Sequence, residues 1–208
     1  MTDTAHASAS PLVDTPERYG IVSRDFHWML AILIVYQLTT AALHAFAPDT
    51  PLERLLFSTH FSMGFTILTL GVLRVLWAAS SYHHRPPHEG PPFERFSATV
   101  GQVVLYALLI AVPFLGFILL ISLGHGLTVW GVTLIPEGGT PNEGLASLVG
   151  WVHVALGWTF ASFIVAHIVI ALVHHFGKRD PTLERMVVGR SDKPSDRPEG
   201  ARPAGYLG

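Results

Sequence analysis

The sequence predicts an all-α membrane protein, a bundle of four spanning helices, on three observations. Half of the 208 residues are hydrophobic and only 13% are charged, whereas a soluble domain usually has about twice that charged share. The deficit is concentrated, because no Asp, Glu, Lys or Arg occurs over residues 26–48, 55–73, 96–136 or 144–177. Each tract suits a spanning helix, which takes roughly 20 apolar residues. Between the tracts stand segments that cannot continue a helix, such as "APDTP" and "SSYHHRPPHEGPP", because proline lacks the amide donor and glycine favours turns.

The elements follow in order. Residues 1–17 are expected to be a disordered polar tail, with neither a basic n-region nor an apolar h-region, so no signal peptide is expected and the first apolar tract should insert and stay. Helix 1 is expected over 26–46 and helix 2 over 55–77. Helix 3 covers 97–122, with a kink expected at Pro113. The loop "GHGLTVWGVTLIPEGGTPNEG" has a short apolar centre and is expected to lie at the membrane interface. Helix 4 covers 147–175. Residues 191–208 are rich in Pro, Gly and charge, the composition of a disordered tail, which leaves 18–190 as one transmembrane domain.

Basic residues set the expected orientation. Of 13 Lys and Arg, only Arg54 falls in the segments joining helices 1–2 and 3–4. The positive-inside rule therefore places both termini and the 2–3 loop in the cytoplasm. A net charge of −2 points to no particular partner; membrane lipid is the expected surrounding, and nothing suggests nucleic acid. The absence of cysteine excludes disulfides, thiolate metal sites, cysteine-bound iron–sulfur clusters and covalently attached haem.

Twelve histidines are many for this length. His153 and His167 lie fourteen residues apart in the last apolar tract. At 100° and 1.5 Å per residue they share one face, about 21 Å apart along the axis. Depth then pairs His167 with His27, at the cytoplasmic start of helix 1, and His153 with His60, at the outer start of helix 2. A lone intramembrane histidine is as readily a hydrogen-bonded core residue or a proton relay. Four that pair by depth, with no intramembrane acid beside them, favour ligation. Zinc normally takes three or four protein ligands, whereas a b-type haem takes one imidazole on each side of a flat macrocycle. Two stacked non-covalent haems b are expected, the inner iron between His27 and His167 and the outer between His60 and His153.

Other residues fit around these. Gly64 and Gly157 each follow a histidine by four residues, where a missing side chain lets a macrocycle approach the backbone; small residues are also common wherever transmembrane helices touch. Arg74, the one basic residue inside a nominal span, either snorkels or pairs with a carboxylate of the inner haem. Arg18 and Arg24 are further partners for that carboxylate. His44 lies about 100° off the face of His27. His174 is in line with His167 but falls at the helix end, and His83, His84 and His88 read as solvated loop residues.

Taken in sequence, "RYGIVSRDFHWML", "STHFSMGFTILTLGVLRVLW", "LYALLIAVPFLGF", "WGVTLIP" and "WVHVALGWTFASFIVAHIVIALVHHF" resemble the bacterial cytochrome b561 family over about residues 18–186. The shared features are Tyr19 ahead of His27–Trp28, the His-x-x-x-Gly of helix 2, the Leu-Tyr…Pro…Gly of helix 3 and the fourteen-residue histidine interval. The resemblance implies a four-helix inner-membrane cytochrome with two haems b, its ligands matching His27, His60, His153 and His167. Where members often carry a histidine ahead of the Leu-Tyr motif, this chain has Gln102, which can hydrogen-bond but cannot take up a proton.

The resemblance also implies ubiquinone as a substrate, and electron transfer between a periplasmic-side partner and the quinone pool is the leading functional expectation. Some relatives oxidise superoxide and reduce ubiquinone unaided. Against that reading here, the two outer connections carry Asp49, Glu53, Glu137 and Glu143 against Arg54, a net of −3, which disfavours capture of an anion. The third expectation is a haem-bearing anchor subunit of a dehydrogenase or hydrogenase. A homodimer is compatible with each, and no residue is marked out as catalytic.

Overall fold

The computed structural model describes residues 12–16, 18–87, 90–178 and 182–187. Most of the N-terminal tail, the whole of 191–208 and His88 lie outside the described residues. Among those described, four helical stretches are long and apolar enough to cross a membrane. They are α1 (Ile21–Phe46), the pair α2 (Pro51–Phe57) and α3 (His60–Ser80), α4 (Pro92–Ser122), and α5 (Glu143–Leu172) continued by a π-helical segment, Val173–Lys178. A hairpin of β1 (Leu127–Val129) and β2 (Val132–Ile135) joins α4 to α5, and α6 (Thr182–Val187) follows. Four spans place residues 12–16 and α6 on one side, the terminal end; the opposite side is the hairpin end.

Two of the helices, α2 and α5, begin where a side chain caps the first turn, not where charge runs out. Thr50 accepts the Glu53 amide at 3.1 Å and Pro51 takes the first turn of α2, an opening that fits proline's missing donor. Asn142 accepts the Leu145 amide at 3.0 Å and starts α5 at Glu143, four residues earlier than apolarity alone suggests. Helix 2 is two helices. The regular run ends at Phe57, Ser58 and Thr59 turn the chain, and α3 opens on His60. The interfacial loop is a hairpin whose turn residues, Trp130 and Gly131, have φ of 49° and 85°, the mirror-image turn that matches strand twist. Trp130 fastens it to α3, its amide donating to Ser62 Oγ at 3.3 Å and its indole to Thr66 Oγ1 at 3.0 Å.

Large apolar side chains face outward along every span: Ile32 is 68% exposed, Leu76 61%, Val103 61% and Val165 61%. In water each would forfeit much of the roughly 1.5–3 kcal/mol that burying such a side chain provides; in lipid the exposure costs nothing. The interior is a short layer of Leu30, Ile67, Leu108, Leu109 and Phe160 near mid-bundle. Gly71 lets α3 close on α4, since a Cβ there would lie 3.1 Å from Leu109 Cγ. By contrast α5 packs mainly on α4, meeting α1 through the Phe46–Trp158 ring contact and joining Leu30 and Ile67 through Phe160. A cleft therefore opens between α5 and the two helices that carry the other histidines.

Residues 12–16, assigned to the tail from composition, fold against the terminal end. Asp14 is buried, accepting the Gly20 amide and the Ser23 hydroxyl, each at 2.8 Å, and its carboxylate lies 3.5 Å from Arg85 Nε. Ser23 in turn accepts the Trp77 indole at 2.8 Å. Composition hid this segment because one buried ion-paired acid reads as polar chain.

Candidate cofactor-binding site

Two histidine pairs face one another across the cleft, one near each end. His60 of α3 and His153 of α5 have ring centres 6.4 Å apart, and His27 of α1 and His167 of α5 have theirs 6.3 Å apart. A metal holding an imidazole nitrogen about 2 Å away on each side would set ring centres roughly 6 Å apart. Both pairs fit a group with a central metal and one imidazole on each face. Phe160, seven residues from each α5 histidine, lies in the buried layer between the pairs.

The hairpin-end pair borders a cavity of about 320 Å³, within the range of cofactor pockets. Gly64, Gly116 and Gly157 contribute to its wall. A Cβ on Gly157 would meet no atom within 4 Å, and one on Gly64 would stand 3.4 Å from Gln37 Nε2. Gly116 has a different task, because a Cβ there would press on His153 Cε1 at 3.0 Å. Both rings are held through Nδ1: His153 lies 3.0 Å from the Val112 carbonyl oxygen and His60 lies 2.9 Å from Thr40 Oγ1. A carbonyl only accepts, so His153 donates from Nδ1 and keeps the Nε2 lone pair for a metal.

The terminal-end pair has different neighbours. Arg74 Nη2 lies 3.3 Å from His27 Nδ1, and the guanidinium also stands 5.8 Å from the centre of the Tyr106 ring. Buried Arg74 Nη1 has no hydrogen-bond partner. A desolvated cation with unspent donors is a seat for a carboxylate. The adjoining small cavity, about 30 Å³, is bounded by Tyr19, Arg74, Arg85, Gln102, Tyr106 and Met186 among others. Burial pushes the Tyr19 phenol above its usual pKa, so it remains a neutral hydroxyl there.

Of the other arginines singled out in the sequence, Arg24 donates to the Val187 carbonyl at 3.1 Å, tying α6 to α1. Arg18 forms a backbone bridge with Thr15. Among the three, Arg74 is the one beside a histidine pair. His44 is bonded to Glu53 at 2.8 Å and stacked on Phe57, ring centres 4.0 Å apart. His174 sits in the π-helical segment, and His83 and His84 are exposed in a 3₁₀ turn. Sequence reasoning missed Thr40, Gln37 and, save as the motif glycine of helix 3, Gly116, together with Asp14. The first three are the small or polar exceptions in apolar tracts, the signal that could have marked them.

The model for prokaryotic cytochrome b561 matches residues 18–189. The chain belongs to that family. Cytochrome b561 homolog 2 of Escherichia coli K12 is 30% identical over 181 residues, 84% of this chain and 93% of that protein. The probable superoxide oxidase CybB of Yersinia pestis is 29% identical over 175 residues, 82% and 96% respectively. Cytochrome b561 homolog 1 of E. coli K12 is 26% identical over 177 residues, 83% and 98%. As a cytochrome b561 the chain is a bacterial multi-pass membrane protein of electron transport that carries b-type haem. The cleft and its histidines are read in that light.

Proposed function

We propose that this cytochrome b561 binds two haems b and carries electrons across the inner membrane between a periplasmic-side partner and the quinone pool. The observation that carries the reading is the recurrence of one imidazole spacing, 6.3 and 6.4 Å, at two depths. His27 and His167 would hold the cytoplasmic-side group and His60 and His153 the periplasmic-side group, with both termini cytoplasmic as the basic residues require. When bound, haem b supplies reversible one-electron chemistry with no open iron position. Gly64 and Gly157 leave room for its faces, Gly116 leaves room for the His153 ring, and Arg74 offers a counter-charge to its carboxylates. Lipid-facing side chains and the layer around Phe160 keep water from the space between the sites.

Substitution tests this. His60→Ala or His153→Ala should lower the pyridine-haemochrome yield from two haems per chain to one, and so should His27→Ala or His167→Ala. Two haems retained in any of the four variants would refute the pairing.

The likeness to a probable superoxide oxidase supports a second reading, in which the chain reduces quinone with electrons from superoxide. Stopped-flow mixing of oxidised protein with superoxide, quinone present, decides it: no haem reduction rejects this reading. A dehydrogenase that co-purifies would favour an anchor subunit instead.

A further inference from the structure

Hydrogen-bond arithmetic around His60 leads beyond ligand assignment. Thr40 is fully buried, at 0% exposure. Its hydroxyl oxygen lies 2.8 Å from the Gln37 carbonyl oxygen and 2.9 Å from His60 Nδ1. A hydroxyl has one proton to give, and a carbonyl oxygen can only accept. Both contacts are hydrogen bonds at once only when the Thr40 proton goes to Gln37 and the Thr40 oxygen accepts from His60. That places the imidazole proton on Nδ1 and the lone pair on Nε2.

The same turn of α1 holds the backbone of this residue too. Gln37 Nε2 donates to the His60 carbonyl at 3.1 Å, and Tyr36 hydroxyl bonds Thr59 Oγ1 at 2.7 Å. Phe57 stacks on the ring with centres 4.9 Å apart. Position, rotation and proton placement of one imidazole are thus set from a neighbouring helix.

We propose that Thr40 is a positioning residue that selects the His60 tautomer able to ligate iron through Nε2, and that it tunes the potential of the haem held there. The proposal rests on His60 being a ligand, as read above. An N–H donated to an acceptor makes the opposite nitrogen a stronger base, which favours ferric over ferrous iron. Loss of the acceptor should raise that haem's midpoint potential and leave the other unchanged.

Thr40→Val keeps the shape and removes the acceptor, whereas Thr40→Ser keeps it. In potentiometric titration of the membrane-extracted holoprotein, one midpoint of Thr40→Val should rise by about 59 mV, a tenfold change in ferric–ferrous preference for one electron. Thr40→Ser should match the wild type. In the haem-free full chain, ¹⁵N NMR of labelled histidine, with His60→Ala as the assignment control, should find the wild-type His60 proton on Nδ1 and a shift toward Nε2 in Thr40→Val.

A wild-type His60 protonated on Nε2, or a Thr40→Val protein with both potentials unmoved, would overturn the proposal. The NMR result judges Thr40 even if Thr40→Val fails to assemble. Two haems retained in His60→Ala would instead defeat the ligand reading, and the two failures are distinct.

Discussion

The hairpin-end and terminal-end histidine pairs share a spacing to within 0.1 Å, by the difference of 6.4 and 6.3 Å, yet their surroundings are opposite in kind. Around His60 and His153 the close partners of Nδ1 are oxygens, Thr40 Oγ1 and the Val112 carbonyl, which draw the imidazole proton away from the cleft. Beside His27 the close partner is a guanidinium. Arginine can only donate, so ligation of a metal through His27 Nε2, which puts the ring proton on Nδ1, would require Arg74 to turn its donors from the ring. One end offers oxygen acceptors to its imidazoles, the other a positive charge. Ligand spacing alone does not determine what a site does.

The sharpest way to break this comparison is to crowd one end only. Gly116→Val places a branched side chain where even a Cβ would lie 3.0 Å from the His153 ring. The ring cannot yield without losing its bond to Val112. Disturbing a partner that orients a metal ligand typically costs about 10–100-fold in affinity. The haem yield should fall from two per chain toward one, the surviving haem belonging to the His27 pair. An unchanged yield would mean that Gly116 serves helix contact alone.

Next in size is Arg74→Leu, which acts on the opposite end. If Arg74 balances a cofactor carboxylate, removing it costs a charge-assisted bond, about 1.5–3 kcal/mol, or roughly tenfold or more in retention of one haem. Arg74→Lys should recover only part, since an ammonium lacks the planar fork. Haem titration of the two variants should leave the His60 pair untouched. Equal weakening of both haems would show that Arg74 supports the bundle and not one site.

These expectations divide along what a linear sequence can express. The fourteen-residue interval between His153 and His167 puts both on one face of a single helix, and periodicity reads that directly. Partners at matching depth follow once the spans are placed. Thr40 and Gly116 are different: each matters through the rotation of one helix against another, which no spacing along a single helix encodes. Asp14 escaped because its burial depends on Ser23, Gly20 and Arg85 meeting in space. The early start of α2 is a local matter, legible in hindsight from Thr50 and Pro51.

A smaller effect is expected at the terminal end from Trp28→Phe. The Trp28 indole donates to the Met186 carbonyl at 3.0 Å, and Met186 borders the small cavity beside Arg74. Losing one such bond costs about 0.5–1.5 kcal/mol. Amide exchange in α6 should quicken severalfold while exchange in α3 and α4 stays as it was. Exchange unchanged in α6 would show that the Arg24 bond and packing against α5 hold it without the indole.

The smallest effect concerns two glycines that the sequence treats as equivalent. Both follow a histidine by four residues, but a Cβ on Gly157 would enter open space and one on Gly64 would touch Gln37. Gly157→Ala therefore meets no protein atom, and any penalty must come from what occupies the cavity. Gly64→Ala brings a methyl to 3.4 Å, ordinary contact distance, from the side chain that holds the His60 carbonyl. Thermal unfolding of the haem-free chain should therefore change in both variants only by the helix preference for alanine, about 0.5–1 kcal/mol. Haem affinity should register both, each by less than about tenfold, below the usual range for partners that orient a metal ligand. A Gly157→Ala protein with unaltered haem affinity would mean that the open space beside Gly157 is not where the macrocycle lies.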